Sequence, residues 1–321
     1  MPRLGQAADA AEQQIDTALR SLPQIGEQIT EYEPVTAPVA SPVRRAVDAL
    51  GLKAQSAAGD CWFVKYYYPE ARRRLSFDAV VEASDKAGRL QVAPACIDAA
   101  ADTGVIAYEW LGDGWDWARL DALSSPQAQM AQFELRRAIH AGPSYPIERN
   151  IFAEIQTFDQ ATREAGVPRP NDLDWMIDEI AAVAEPLDAA CTARKPAHGD
   201  GVSSNVMIHT SGALRLVDFD VAGNDDPAHD LASMLVEICP FKEQVSEAVA
   251  LWSGAPDPEL FAKCMLYGIA DDLRWGLWGL TMFAESALSG VEFFKYAQWR
   301  LLRARANLHD RDFETWRRSF G

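Results

Sequence analysis

The stretch His198-Gly199-Asp200-Gly201-Val202-Ser203-Ser204-Asn205, with Asp218-Phe219-Asp220 beginning thirteen residues after its asparagine, decides the reading of this 321-residue chain. Between the two ends lie Asn205-Val206-Met207-Ile208-His209-Thr210 and Ala213-Leu214-Arg215-Leu216-Val217-Asp218, two β-prone runs separated by Ser211-Gly212. That is the pattern of a hairpin with a two-residue turn. Pairing about the turn sets Thr210 opposite Ala213 and, stepping outward, Asn205 opposite Asp218. Directly opposed residues share a face with Cβ atoms roughly 5 Å apart, so the Asn205 amide oxygen and the Asp218 carboxylate are expected to reach one hard cation, with Mg2+ the natural occupant. Asp200 falls in a loop that Gly199 and Gly201 are expected to keep flexible, where its carboxylate accepts the proton of an attacking hydroxyl. Asp220 either holds a second metal or braces the strand end.

An Asp, a spacer of four and an Asn is a weak signal alone, and the hairpin ending in Asp-Phe-Asp strengthens it. Enzymes of the protein-kinase type use this set: a catalytic-loop Asp, an Asn five residues on, and a metal-binding Asp beyond a short hairpin. With His-Gly-Asp in place of His-Arg-Asp and Leu216-Val217-Asp218-Phe219-Asp220 in place of Asp-Phe-Gly, the chain resembles the aminoglycoside phosphotransferase and choline/ethanolamine kinase superfamily. The resemblance covers roughly residues 50 to 305 in motif order. It implies an α+β, bilobal protein-kinase-like fold, with a small antiparallel-sheet N-lobe carrying one helix and a larger, mainly helical C-lobe. The lobes are expected over residues 1–111 and 112–321, with ATP and Mg2+ as cofactors. His198 is expected to hold the loop through its ring rather than act as the base; His140 and His209 read as structural or exposed.

A second constellation belongs in the first third of such a chain. Cys61-Trp62-Phe63-Val64-Lys65-Tyr66-Tyr67 is aromatic and β-branched and follows the turn signal Ala58-Gly59-Asp60, so it reads as the second strand of a hairpin whose first strand lies near Leu50 to Gln55. Lys65 is its only charge. Ser76 then caps a helical run with Asp78 in its first turn and Phe77, Val80, Val81 and Ser84 on its apolar face. The superfamily pairs a strand Lys with a helix Glu to fix an ammonium against the nucleotide phosphates, which implies Lys65 with Glu82, Asp85 being the nearest competitor. The resemblance also places a glycine-containing phosphate loop where this chain has Pro34 to Pro42, with three prolines and no glycine. Gly104 to Leu111 reads as an apolar strand running into Gly112-Asp113-Gly114. It serves either as the connector whose Glu109 and Leu111 backbone groups face the adenine edge or as an ordinary core strand.

The formal net charge of −17 argues against nucleic acid as a partner, since phosphate backbones need concentrated Lys and Arg, and it suits both a solvated acidic surface and a cationic small molecule. An apolar content of 48% excludes general disorder. No apolar run of about 18 residues occurs, and the first thirty residues are polar and helix-prone, so neither a membrane span nor a secretory signal is expected, and the cytoplasm is the default. Five scattered cysteines without metal spacing read as reduced thiols.

Along the chain, Ala7 to Leu22 reads as a helix and Gly26 to Glu33 as a strand. Pro126 to Ala141 and Asp174 to Ala193 read as helices, the second with Ile177, Ile180, Ala184 and Leu187 on one face and Pro196 as its stop. Aromatic residues concentrate at Asp271-Asp272-Leu273-Arg274-Trp275-Gly276-Leu277-Trp278 and near Tyr296-Ala297-Gln298-Trp299-Arg300. These segments look like the choline-binding helices of choline and ethanolamine kinases, so Trp275, Trp278 and Tyr296 fall on cage positions and Glu237 on a family acid near the ammonium. A quaternary ammonium is recognised by π-faces, which suits a cationic, hydroxylated small-molecule acceptor. Tryptophans at a spacing of three also form ordinary core stripes. Three functions stand: an ATP- and Mg2+-dependent kinase of choline or ethanolamine, a phosphotransferase for an aminoglycoside or another hydroxylated compound, and a non-catalytic nucleotide-binding module. Oligomeric state is not encoded in any of these motifs.

Overall fold

Period-two alternation in the strand Cys61–Tyr67 organises the first part of the protein: Val64 and Tyr66 face one way, Lys65 and Tyr67 the other. The computed structural model describes residues 4–35, 47–191, 193–288 and 290–320; the proline loop at 34–42 lies outside them from Thr36 onward. Packing divides the chain into two compact units, one of the described residues up to Trp117 together with Val206–Ala222, the other of Ala118–Asn205 and the residues from Gly223 onward.

The first unit contains a five-stranded antiparallel sheet in the order Ile29–Pro34, Ala49–Ser56, Cys61–Tyr67, Val105–Glu109, Cys96–Ala100. Both of its faces are covered. Helix Ala10–Arg20 lays Ala18 and Leu19, with Leu22 and Ile25 beyond it, over Leu52, Val64 and Val105. Helix Phe77–Arg89 lays Val80 over Ala49, Tyr67 and Ile106 on the opposite face. The expected N-terminal sheet is thus present, with these two helices rather than one. A second sheet joins Trp115–Trp117, Val206–His209 and Leu214–Leu216.

The second unit is mainly helical. Its axis is the helix Pro258–Glu285, buried on nearly all sides as an interior helix must be if helices pack all around it. Helices Ile151–Glu164, Pro227–Ile238 and Phe293–Leu308 make its largest contacts. Asp257 and Asp226 cap the starts of Pro258–Glu285 and Pro227–Ile238, each with proline in the first turn. The helix expected over Asp174 to Ala193 runs Leu173–Ala189, and its core face is Met176, Ile180, Val183 and Leu187. It ends well before Pro196, and it carries Pro186, which has no backbone donor, inside its last turn. Pro196 sits instead in the strand Lys195–Ala197, paired with Gly223–Asp225. Among the described residues no helix is long and apolar enough to cross a membrane.

Candidate active site

In the helical unit, the strand Lys195–Ala197 delivers His198 into the interior and the chain then turns through Gly199 and Asp200. Gly199 has φ of 77°, a left-handed conformation that disfavours a side chain. Gly201 is required for a different reason: a Cβ there would stand 2.2 Å from the backbone of Ser233 and Met234 in helix Pro227–Ile238. These glycines therefore fix the loop against the helix rather than loosen it, contrary to the expected flexibility. His198 is fully buried, and its Nδ1 accepts the Asp200 N–H at 3.3 Å.

Asp200 is half-buried, and both of its carboxylate oxygens are engaged. Oδ1 accepts the Val202 N–H at 3.2 Å, and Oδ2 accepts Asn205 Nδ2 at 3.0 Å. The amide oxygen of Asn205 is thereby directed away from that carboxylate. Glu237 accepts from both the N–H and the hydroxyl of Ser203, at 3.3 and 3.2 Å, so it is tied to the same loop.

Beneath the loop lies a buried charge cluster that sequence reasoning missed. Asp230 is fully buried; its Oδ1 accepts the Gly199 N–H at 2.9 Å, and its Oδ2 meets His140 Nε2 at 2.9 Å and Arg136 Nε at 3.8 Å. Burial pushes the Asp230 carboxyl up, but His140, Arg136 and the Gly199 N–H together hold it well below the usual carboxylate range. Burial also lowers the Arg136 guanidinium from its ordinary value, against the pull of Asp230 and Asp200. The only signal in the sequence was Asp226-Pro227 opening a helix with Asp230 in its first turn.

In the sheet unit, the hairpin exists but its register is one residue from expectation. Val206 pairs with Leu216 and Ile208 with Leu214, and the ladder closes at His209 and Ala213 around a three-residue loop, Thr210 to Gly212. Gly212, with φ of 88°, takes the left-handed third position that such loops require. Asp218 is therefore not the cross-strand partner of Asn205: it lies beyond the end of Leu214–Leu216 with φ of 70°, unusual for a residue with a side chain. This turn brings both acids of Asp218-Phe219-Asp220 onto one ammonium. Lys65 Nζ stands 2.7 Å from Asp218 Oδ1 and 2.7 Å from Asp220 Oδ2, and the Tyr67 hydroxyl donates to Asp220 Oδ1 at 2.5 Å. Burial, the largest influence on Lys65, lowers its affinity for the proton, but the two carboxylates more than reverse that and hold the ammonium above its ordinary value. Asp220 is pushed up to about 7 by burial and by the charge of Asp218, Lys65 pulling the other way.

Glu82 does not join this cluster. It pairs with Lys86, one turn along its own helix, and Asp85 pairs with Arg89. The helix buries Val80, Ala83, Ser84 and Ala87, and Glu82 lies roughly 200° round the helix from either Val80 or Ser84. The side chain that meets the sheet there is Ser84, 3.2 Å from the Tyr108 hydroxyl. At the strand end, the Glu109 N–H donates to Ala95 O at 2.9 Å and is thus taken up in the sheet; Leu111 follows in the connection to Gly112.

The C-terminal aromatics do meet. Trp278 makes edge-to-face contacts with Trp275 at 5.4 Å and with Tyr296 at 5.9 Å between ring centroids, and all three rings are half-buried. The Arg274 guanidinium lies 4.0 Å from the centre of the Trp275 ring while its Nε bonds Glu154 at 2.9 Å. Arg300 is buried among Tyr296, Asp272, Asp271 and Glu237, which together raise its proton affinity against the effect of burial.

Among the described residues no group of three or more His, Cys, Asp or Glu stands ready to hold a metal alone. Mg2+ characteristically takes only one or two protein ligands and completes its shell with phosphate and water; Asn205 in the helical unit offers an amide oxygen and Asp218 in the sheet unit a 41%-exposed carboxylate, each the hard oxygen type it takes.

The chain matches the family described as the phosphotransferase enzyme family over residues 39–263. No curated protein matches it by sequence. Among solved structures, a choline/ethanolamine kinase family protein from Mesorhizobium loti is similar, with 20% identity, a TM-score of 0.78, and coverage of 97% of this chain and 98% of that one. The choline kinase LicA from Streptococcus pneumoniae is 17% identical, with a TM-score of 0.74 over 94% of this chain and 99% of its own. A macrolide 2'-phosphotransferase type I has 16% identity and a TM-score of 0.56 over 94% and 99%. These likenesses establish a shared fold.

Proposed function

This chain belongs to the phosphotransferase enzyme family, and on that premise we propose that it transfers the γ-phosphate of ATP to a hydroxyl of a small amino alcohol, choline or ethanolamine foremost. The observation that carries the reading is the built state of the loop. Asp200 is locked by Val202 and Asn205, and its loop rests on an invaginated Asp230. Residues 1–111 supply the nucleotide-binding lobe and 112–321 the catalytic and acceptor-binding lobe.

In the reaction, Asp200 orients the acceptor hydroxyl and takes its proton as the oxygen attacks the γ-phosphorus and the bond to the ADP oxygen breaks. His198 holds the loop backbone. Lys65 positions the phosphates, and the Leu111 backbone with the Glu109 carbonyl, its N–H being taken by Ala95, faces the base. Asn205 and Asp218 would hold Mg2+, which when bound neutralises the charge developing on the transferred group. Trp275, Trp278 and Tyr296 supply π-faces for an ammonium, with Glu237 balancing its charge. Cytoplasmic location and a monovalent, cationic acceptor belong to the same proposal.

A second reading, phosphorylation of an aminoglycoside or another hydroxylated compound, is favoured by one observation: Arg274 already covers a face of Trp275, and a π-face that holds a guanidinium is closed to a substrate cation. A coupled phosphotransferase screen over choline, ethanolamine, thiamine, sugars and aminoglycosides decides between the two. Turnover confined to choline and ethanolamine supports the first, and turnover with aminoglycosides alone supports the second. Nucleotide binding with no acceptor turned over would leave a non-catalytic module.

A further inference from the structure

The superfamily pattern puts a helix glutamate beside the strand lysine, and here Glu82 and Asp85 pair instead with Lys86 and Arg89 of their own helix. The helix Phe77–Arg89 presents Val80, Ala83, Ser84 and Ala87 to the sheet, and Glu82 is turned to Lys86. Lys65 nevertheless sits in a built setting. Its neighbour on the same strand face is Tyr67, whose hydroxyl donates to Asp220 Oδ1 at 2.5 Å while Asp220 Oδ2 accepts the Lys65 ammonium at 2.7 Å. The Lys65 Nζ also lies 4.8 Å from the centre of the Tyr67 ring. Asp220 is the covered acid of the pair, with 17% of its side chain exposed against 41% for Asp218.

We propose that Asp220 and Tyr67 replace the helix glutamate as the positioning residues of Lys65, leaving Asp218 as the acid of this hairpin that exchanges its ammonium contact for metal. The assignment rests on the phosphotransferase reading and deepens it. Asp220 is fixed at both oxygens, so it is pre-set to hold an ammonium in one place. Asp218 is the more exposed of the two, so its carboxylate is the one within reach of a metal ion from solvent. A Tyr67 hydroxyl two residues along the strand can serve Asp220 because period-two alternation sends both side chains to one face.

The test is nucleotide affinity of the full chain, measured by calorimetry with ADP in EDTA and again with Mg2+. Tyr67→Phe and Asp220→Asn each weaken metal-free ADP binding by about tenfold, the loss of one hydrogen bond in a charged network, while Glu82→Gln changes it by less than about twofold. In a Lys65→Ala background, Tyr67→Phe has no further effect, because it acts through the ammonium; unfolding midpoints of all variants establish that they are folded. The assignment is overturned if Asp220→Asn and Tyr67→Phe weaken binding only when Mg2+ is present, which would make Asp220 a metal ligand, or if Glu82→Gln carries the loss. Wild-type protein that binds no nucleotide under either condition overturns the phosphotransferase reading and this assignment together, a result distinct from binding that ignores Tyr67 and Asp220.

Discussion

Two charge clusters, one in each compact unit, are built on opposite balances. Under the loop from His198 to Asn205, a single carboxylate, Asp230, is shared by the Arg136 guanidinium, the His140 ring and the Gly199 N–H. Around Lys65, two carboxylates share one ammonium and one phenol. Donors exceed acids in the first, so its carboxyl is held low despite burial; in the second, burial first and the charge of Asp218 next push Asp220 up to about 7. The lesson concerns purpose: the first cluster sets a loop in place through Asp230, while the second gathers two carboxylates about one ammonium, a setting that suits a divalent cation.

The largest effect that would break this contrast lies in the floor. Asp230→Ala leaves the buried Arg136 guanidinium without its counter-charge and the Gly199 N–H without its acceptor, and is expected to cost about 3 to 5 kcal/mol of folding stability in urea titration. A change of less than about 1 kcal/mol would show the cluster to be incidental. A second expected effect belongs to the same unit. The buried His229 ring is raised to about 10, because Asp225 and Asp271 outweigh the lowering by burial. A raised folded value means that this stabilisation is fully present below the ordinary pKa of 6.5 and is lost as pH rises through about 10. The thermal midpoint of the wild type should therefore fall more between pH 7 and pH 10 than that of His229→Gln, and parallel curves would refute the assignment.

Smaller effects sharpen the comparison. If an ammonium sits among the aromatics, Trp275→Ala raises the acceptor KM by roughly 2- to 30-fold with little change in kcat, the worth of one π-face. An unchanged KM would return Trp275 to ordinary packing against Arg274. Smallest of all, Asp220→Asn removes one of two like charges while the amide can still accept from Tyr67, so folding stability should stay within about 1 kcal/mol or rise. A loss comparable with that of Asp230→Ala would mean that the two clusters are not opposites.

The sequence made some of this visible and hid the rest for physical reasons. The Ser211-Gly212 signal located the hairpin, but Thr210 joined the loop and the register moved by one, since Gly212 is needed at its third position rather than its second. The helix after Ser76 was legible from Phe77 and Val80. Ser84 was read on the sheet-facing side and lies there, whereas Glu82 was assigned from the family resemblance, against the phase that turns it to Lys86. Lys65 was legible as a lone charge in an aromatic strand. Its partners were not, because Tyr67 read only as part of the aromatic strand and Asp220 as a second metal ligand or a brace for the strand end. Arg136 and His140 lie one turn apart on a helix but far from Asp230 in the chain, and nothing local marks a guanidinium that will be wholly buried. Glycine spacing announced the loop and misled about its character: the conformation of Gly199 and the closeness of Gly201 to Ser233 fix what had read as flexible.

The central claim is that Asp200 takes the acceptor's proton in phosphate transfer, and the most direct measurement follows radiolabelled γ-phosphate from ATP to an acceptor found in the screen, for wild type and for Asp200→Asn. Transfer should fall by about 10²- to 10⁴-fold in the variant, while ATP still raises its unfolding temperature as it does for the wild type. Near-native transfer by Asp200→Asn would contradict the assignment.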